Sequence, residues 1–306
     1  MKSCWLASML WVGVLGGAGA SDAPPSEATC PGKDAYSPFD VLDTTTPDDK
    51  RRAAVDTVVR LAADPACRYE RSLLGALYRF GPQLEGNPLP KDSVRAVDLI
   101  EEAALRGRPA LYADLAELSL ADGDARGAMQ WTQVYLWVQA QQGPGKQADF
   151  DRSGYNADLL LRAQRAWQKA RLGGNASIDA LLKTYLEPRR AQLKEAIANG
   201  PDAVPRDDTA GGSHETLRIK RGPRGRKDVN IPIKAGYAIF LMEVRPDGTV
   251  GRIVAETFAP TPAHAKALRP FVDGFEYYPF EGTTPELVRV PVQYGYTGAF
   301  APKLRR

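Results

Sequence analysis

The spacing of apolar residues along the chain changes once, from a helical period to a strand period. The first helical face begins near Arg52 and carries four apolar residues one and two turns apart: Val55, Val58, Val59 and Ala62. Helical spacing returns in residues 156–172, which end at two glycines, and in residues 177–199, where Pro188 predicts a kink. Residues 53–199 therefore form the predicted helical part of the chain.

After residue 230 the pattern becomes typical of strands. Residues 237–244 form an apolar strand, and the Arg-Pro-Asp-Gly sequence that follows favours a turn. Residues 249–258 are predicted to pair back onto this strand, with Gly251 as a bulge. Residues 286–296 alternate between apolar and polar and form the predicted closing strand.

One short helix is predicted between the hairpin and the closing strand. Thr261 is a suitable cap, and the helix is expected to run to about Arg269 and to be disturbed at Pro270. The sequence therefore predicts two domains. The first is all-α, and the second is a small α+β domain with an antiparallel sheet and one helix.

Two stretches follow neither period. Residues 21–52 are rich in Pro, Ser, Thr and Asp and are predicted to be an irregular N-terminal segment. Residues 200–230 have the composition of a linker, which leaves residues 231–300 for the second domain. The linker carries a basic run from Lys220 to Lys227. Solvated linker charge is the simpler interpretation of this run, and contact with an anionic surface is the alternative.

Two helical segments repeat each other. LAADPACRYERSLLGALYRFG begins at Leu61 and EAALRGRPALYADLAELSLADG begins at Glu102, and Ala62 aligns with Ala103 at an offset of 41 residues (103 − 62). The segments resemble Sel1-like repeats, which are tetratricopeptide-like helix pairs. The residues that carry this resemblance are Leu74, Gly75, Tyr78, Gly81, Ala96, Ala103, Ala104 and Gly107. The resemblance implies a helical-repeat solenoid in which these residues serve close helix packing.

The C-terminal motifs also resemble a known family. RPDGTVGRIV, AKAL and FEYYP follow in the order of a hairpin, a short helix and an aromatic-proline segment. They are similar to the C-terminal domain of TonB and TolA, whose closing strand receives an extended peptide by strand addition. The resemblance implies a partner-binding edge strand with four residues alternating on one face: Val288, Val290, Val292 and Tyr294. Pro291 then either guards the edge against aggregation or limits the length of the added peptide.

The aromatic sequence FEYYPF spans residues 275–280. We expect it to form the hinge where the helix packs on the sheet, with Phe275 and Tyr277 inward and Tyr278 and Phe280 partly exposed. The alternative is a stacking platform for a sugar or a peptide.

The N-terminus reads as an export signal. MKSCWLASMLWVGVLGGAGA has a positive Lys2, an apolar run over residues 4–15 and small residues at 18–20, which predicts a cleaved signal peptide over residues 1–20. A retained membrane anchor is the alternative. Cleavage leaves Cys30 and Cys67, which are predicted to form a disulfide in an oxidising compartment, the alternative being two separate buried thiols. The expected location is the periplasm of a Gram-negative envelope.

The remaining chemistry of the sequence is sparse. The net charge of +3, from 40 basic and 37 acidic residues, does not favour nucleic acid as the main partner. The two histidines, His214 and His264, lie in no metal-binding or nucleophile motif, and no phosphate-binding glycine loop occurs. We therefore predict no catalytic residue, no metal site and no cofactor.

These observations together predict a function in binding. We expect an exported, non-enzymatic envelope protein that is not membrane-spanning after cleavage and whose partners are other envelope proteins. The alternative is an accessory protein that binds cell-wall glycan, or a cryptic hydrolase. A third interpretation is a structural role in which the two domains bind only each other.

Overall fold

The structure is a computed structural model that describes residues 30, 35–84, 86–106, 111–141, 154–199, 217–221 and 235–295. Within these residues a helical N-terminal part precedes a small antiparallel sheet with one helix. The predicted signal peptide, Gly107 and most of the basic run lie outside the described residues.

The helical part contains α1 (Pro38–Leu42), α2 (Asp48–Leu61), α3 (Arg68–Phe80), α4 (Ser93–Leu105), α5 (Leu111–Asp122), α6 (Ala125–Gln141), α7 (Gly154–Lys169), α8 (Asn175–Leu186) and α9 (Arg190–Asn199). The sheet part contains β1 (Ile219–Arg221), β2 (Ala235–Val244), β3 (Val250–Ala259), α10 (Pro262–Leu268), β4 (Glu276–Tyr277) and β5 (Glu286–Gly295). The predicted kink at Pro188 is a full break between α8 and α9.

The N-terminal segment is more regular than its composition predicts. The prediction that residues 21–52 are irregular is wrong for their second half, which contains α1 and the start of α2. Ser37 caps α1 by accepting the Phe39 N–H at 3.4 Å, and Pro38 occupies the first helical position. In α2 two aspartates lie in the first turn, where negative charge stabilises a helix.

Small residues allow α3 and α4 to pack closely. A Cβ atom on Gly75 would lie 2.7 Å from Ile100 Cγ1 of α4, so a larger residue requires the Ile100 side chain or the helices to shift. The other described residues of the repeat pattern are also buried: Leu74, Tyr78, Gly81, Ala96, Ala103 and Ala104. However, Ala62 follows the end of α2 whereas Ala103 lies inside α4, so the two segments do not occupy equivalent helix positions. The solenoid architecture stays a prediction.

The sheet has the order β3-β2-β5, and all neighbours are antiparallel. The register of β2 with β3 shifts twice, once opposite Gly251 and Arg252 and once at Glu256. The first shift confirms the predicted bulge at Gly251. The register of β2 with β5 runs without a shift over ten pairs, from Ala235–Gly295 to Val244–Glu286.

Part of the predicted linker is a strand. The prediction that residues 200–230 form a linker is wrong for β1, which pairs antiparallel with β4. Tyr278 adds to this ribbon because its N–H donates to the Arg218 carbonyl at 2.9 Å. The pairing depends on a contact between residues far apart in sequence, which composition does not reveal.

Helix α10 covers one face of the sheet. The residues that form this core lie on β2, β3, α10, β4 and the segment between them: Phe240, Met242, Val244, Phe258, Leu268, Val272 and Tyr277. Phe80, at the end of α3, stacks on Phe258 with ring centroids 4.2 Å apart. The helical part therefore contributes directly to the core of the sheet part.

The opposite face of the sheet packs on the helical part. Leu241 and Val254 enclose Phe39 of α1, which is fully buried. Tyr237 of β2 meets Tyr155 of α7 edge-on, with ring centroids 5.0 Å apart. The two parts thus share buried apolar surface on both faces of the sheet.

Candidate binding edge

The sheet ends in two outer edges, one along β3 and one along β5, because β2 is central. In the described part of the chain, no strand pairs with either outer edge. An outer edge carries backbone N–H and C=O groups that can pair with another extended chain. The two edges differ in how they present these groups.

The edge of β3 is interrupted. Its two register shifts break the regular spacing of its backbone groups. The Arg269 guanidinium, at the end of α10, donates to the Ile253 carbonyl at 2.8 Å and so occupies one acceptor of this strand. Irregular spacing and an occupied acceptor make β3 a poor template for strand addition.

The residues of β5 that direct their N–H and C=O groups toward β2 are identified from the hydrogen bonding of β2 to β3. The Arg245 N–H, just after β2, donates to the Thr249 carbonyl across the hairpin at 2.9 Å. Since backbone groups alternate in direction along an antiparallel strand, even-numbered residues of β2 direct theirs to β5. Their partners in the register, among them Val288 opposite Met242 and Val290 opposite Phe240, therefore form the hydrogen-bonded pairs.

The residues between these pairs direct their backbone groups outward. They are Leu287, Arg289 and Pro291, and Pro291 offers only its carbonyl because proline has no N–H. Proline at an outward position leaves the ladder with β2 intact, which agrees with the unshifted register. The outer edge of β5 thus presents two N–H donors followed by a position without a donor.

The predicted site residues of β5 direct their backbone groups toward β2 and not toward the outer edge. Val288 and Val290 are half-buried and pack against the core beneath α10, and Val292 is buried. Tyr294 lies opposite Gly236 in the register, and its side chain is outside the described residues. The outward N–H groups belong instead to their neighbours Leu287 and Arg289. The alternation of the valines indicates the apolar face of the strand, whereas the outward backbone groups belong to the residues between the valines.

The side chains of Leu287 and Arg289, the two outward residues with an N–H, rest on the helical part. Leu287 packs against the cluster around Phe39. Arg289 donates to both carboxylate oxygens of Glu256 at 2.8 Å, and its guanidinium lies 4.9 Å from the Tyr69 ring centroid. Burial lowers the pKa of the Arg289 guanidinium, but the Glu256 carboxylate raises it above its ordinary value. Arg289 is therefore a neutralised, fixed part of the edge.

A buried polar cluster fixes the sheet on the helices. Asp114 of α5 accepts hydrogen bonds from Arg79 of α3 and from the Tyr237 hydroxyl of β2, and the Thr257 hydroxyl donates to it at 3.2 Å. The Arg79 and Asp114 side chains are each only 3% exposed. Burial and the adjacent Asp114 carboxylate raise the pKa of the Tyr237 hydroxyl, which keeps it a donor. This cluster joins four elements, α3 and α5 of the helical part and β2 and β3 of the sheet.

The aromatic segment belongs mainly to the core. Tyr277 is buried and its ring stacks on Phe275, which is half-buried, with centroids 6.2 Å apart. Tyr278 is exposed and the Arg218 guanidinium lies over its ring, and Phe280 is half-buried. Lys220, the one described end of the basic run, is exposed and lies 3.9 Å from a Glu276 oxygen.

The predicted Cys30–Cys67 disulfide is confirmed. The Glu70 carboxylate lies near the two sulfur atoms, but sulfurs bonded to each other are not thiolate ligands for a metal. Among the described residues, no helix combines the length and the apolar character needed to cross a membrane.

Comparison of the chain with protein-family models, with curated proteins and with solved structures gave no match.

Proposed function

We propose that the protein binds an extended segment of another protein, which adds as a strand to the outer edge of β5. The observation that supports this function is the contrast between the two edges of the sheet. The edge of β3 is interrupted by bulges and by Arg269, whereas β5 keeps an unshifted register beside an outer edge that no described strand pairs with.

The edge limits the length of the bound segment. Glu286 is exposed and the next four residues are half-buried, whereas Val292 is buried. At the far end α7 packs against β2 and β5, with Tyr155 against Tyr237, the residue opposite Gln293. A strand that begins beside Glu286 and stops at Pro291 has about five residues.

The edge also indicates the chemistry of the bound segment. Cross-strand neighbours on the two faces would be Leu287 on one side and Val288 and Val290 on the other, which are all apolar. Arg289 is already neutralised by Glu256, so an acidic residue gains little there. The fitting partner is therefore an uncharged segment rich in β-branched residues.

The setting we propose for this function is the oxidising envelope of a Gram-negative cell, with envelope proteins as partners. The disulfide supports an oxidising compartment. The helical part serves as the scaffold that holds the edge, and we assign no catalytic role to the protein.

Replacement of Leu287 by proline tests the edge. The change removes one outward N–H and leaves the ladder with β2, whereas Leu287→Ala loses the same apolar contact but keeps the N–H. The probe is a fluorescein-labelled peptide of alternating valine and threonine, titrated by fluorescence anisotropy. We expect Leu287→Pro to weaken binding by about tenfold or more, because one hydrogen bond and the close approach of the strand are lost. Leu287→Ala should bind within a few-fold of the original protein.

Both variants must keep their circular dichroism and tryptophan emission. Equal binding by folded Leu287→Pro and Leu287→Ala, or no saturable binding by the original protein, contradicts strand addition. Saturable binding of a muropeptide without binding of the probe would favour the glycan-binding alternative instead.

A further inference from the structure

The disulfide joins two segments of the helical part, one before α1 and one before α3. Cys67 is fully buried and immediately precedes α3, and its bond to Cys30 spans 37 residues. Helix α1 lies within this loop. The bond therefore ties together the start of α3 and the segment that carries α1.

The two outward residues of β5 that keep an N–H, Leu287 and Arg289, each rest on an element held by this bond. Leu287 packs on the cluster formed by Phe39, Leu241 and Val254, and Phe39 belongs to α1. Arg289 lies over the ring of Tyr69, which is two residues after Cys67. The two donors of the proposed binding edge thus have separate contacts with the two sides of the disulfide loop.

Further contacts hold α1 and α3 in this arrangement. The Tyr36 hydroxyl, just before α1, donates to Glu70 of α3 at 3.3 Å. The Arg252 guanidinium of β3 lies 4.5 Å from the centroid of the Phe39 ring. These contacts are individually weak, so a covalent link between the segments has a large effect on how long they stay together.

We propose that the Cys30–Cys67 disulfide regulates the binding edge, so that β5 accepts a strand more tightly in the oxidised protein than in the reduced one. The inference rests on the proposed function of the β5 edge. Reduction occurs when a dithiol reductant transfers two electrons and two protons to the disulfide bond. The S–S bond breaks, two thiols form, and the reductant becomes a disulfide. Release of α1 then removes support from Leu287, and movement at the start of α3 removes support from Arg289.

Hydrogen exchange followed by mass spectrometry tests this coupling without a partner. The protein is compared in its oxidised form, after reduction with dithiothreitol and alkylation, and as Cys30→Ser combined with Cys67→Ser. We expect exchange in α1 and in the Glu286–Val290 part of β5 to rise, with α6 and α7 unchanged. If the edge is competent about a tenth of the time after reduction, the Kd for the valine–threonine probe rises about tenfold.

The variant Phe39→Leu reports on the same coupling with the disulfide intact, and it should raise exchange in β5 without exposing thiols. Unchanged exchange in α1 and β5 after reduction overturns the proposal. Global loss of protection, including α6 and α7, also overturns it, because the bond would then be a general stabiliser of the fold. Increased exchange in β5 without probe binding by the oxidised protein would instead contradict the proposed function and leave the coupling in place.

Discussion

Replacement of Asp114 by alanine is expected to destabilise both parts of the protein together. Asp114 is the shared acceptor of Arg79, Tyr237 and Thr257. Its removal leaves the Arg79 guanidinium, which is 3% exposed, without its ion-pair partner. Removal of one partner of a buried ion pair costs about 3–5 kcal/mol. The lost acceptors of the two hydroxyls add to this cost, but the contributions of one network are not additive.

A surface ion pair on the same helix supplies the matched control. Asp122 of α5 pairs with Lys91 at 2.6 Å, and their side chains are 30% and 37% exposed. Asp122→Ala should therefore cost less than about 1 kcal/mol. The comparison separates the loss of a buried network from the general effect of removing an aspartate from α5.

Two probes report on the two parts of the protein. The tryptophans after residue 20 lie at 131, 137 and 167, which places them in α6 and α7. Their emission in guanidinium chloride reports on the helical part, and hydrogen exchange of β2, β3 and β5 reports on the sheet. We expect Asp114→Ala to lower the free energy of unfolding by a similar amount with both probes. Loss of protection confined to the sheet, or a cost no larger than that of Asp122→Ala, would refute the shared network as the main link.

Two further changes test the packing and the electrostatics of the helical part. Gly75→Ala should lower the free energy of unfolding by about 1–3 kcal/mol in thermal or chemical denaturation, because the new Cβ meets Ile100 at 2.7 Å. Equal stability would show that Ile100 or the two helices can shift at little cost. Burial raises the pKa of the Glu70 carboxyl in the folded protein above its value in the unfolded chain. The ionised carboxylate therefore lowers the stability of the fold at neutral pH. This loss disappears as the pH falls from the folded pKa to the unfolded pKa. Glu70→Gln, which still accepts from Tyr36, should therefore be more stable than the original protein at neutral pH, and the difference should vanish in acid; a variant less stable at neutral pH contradicts this.

Local patterns predicted the elements because each pattern depends on neighbours in sequence. The turn at Arg245–Gly248 and the bulge at Gly251 follow from residue types within a few positions. The helices follow from apolar spacing, and the disulfide follows from the count of cysteines after residue 20. The prediction of α1 failed because its signal is one serine and one proline in a segment whose composition is that of a loop.

Contacts between distant residues could not be predicted in the same way. Arg79 and Asp114 are 35 residues apart, and Asp114 and Tyr237 are 123 residues apart. Their meeting depends on the docking of the sheet on the helices, which no short pattern encodes. The same limit applies to the edge of β5. The register with β2 decides which residues direct backbone groups outward, and the alternation of the valines does not reveal that register.

The most direct test of the account is amide exchange at single residues of β5, measured by NMR with and without the valine–threonine probe. We expect bound probe to slow exchange at the Leu287 and Arg289 amides, which point outward. The Val288 and Val290 amides already pair with β2 and should change little. Slower exchange at the inward amides alone, or equal protection along β3, would contradict strand addition at the outer edge of β5.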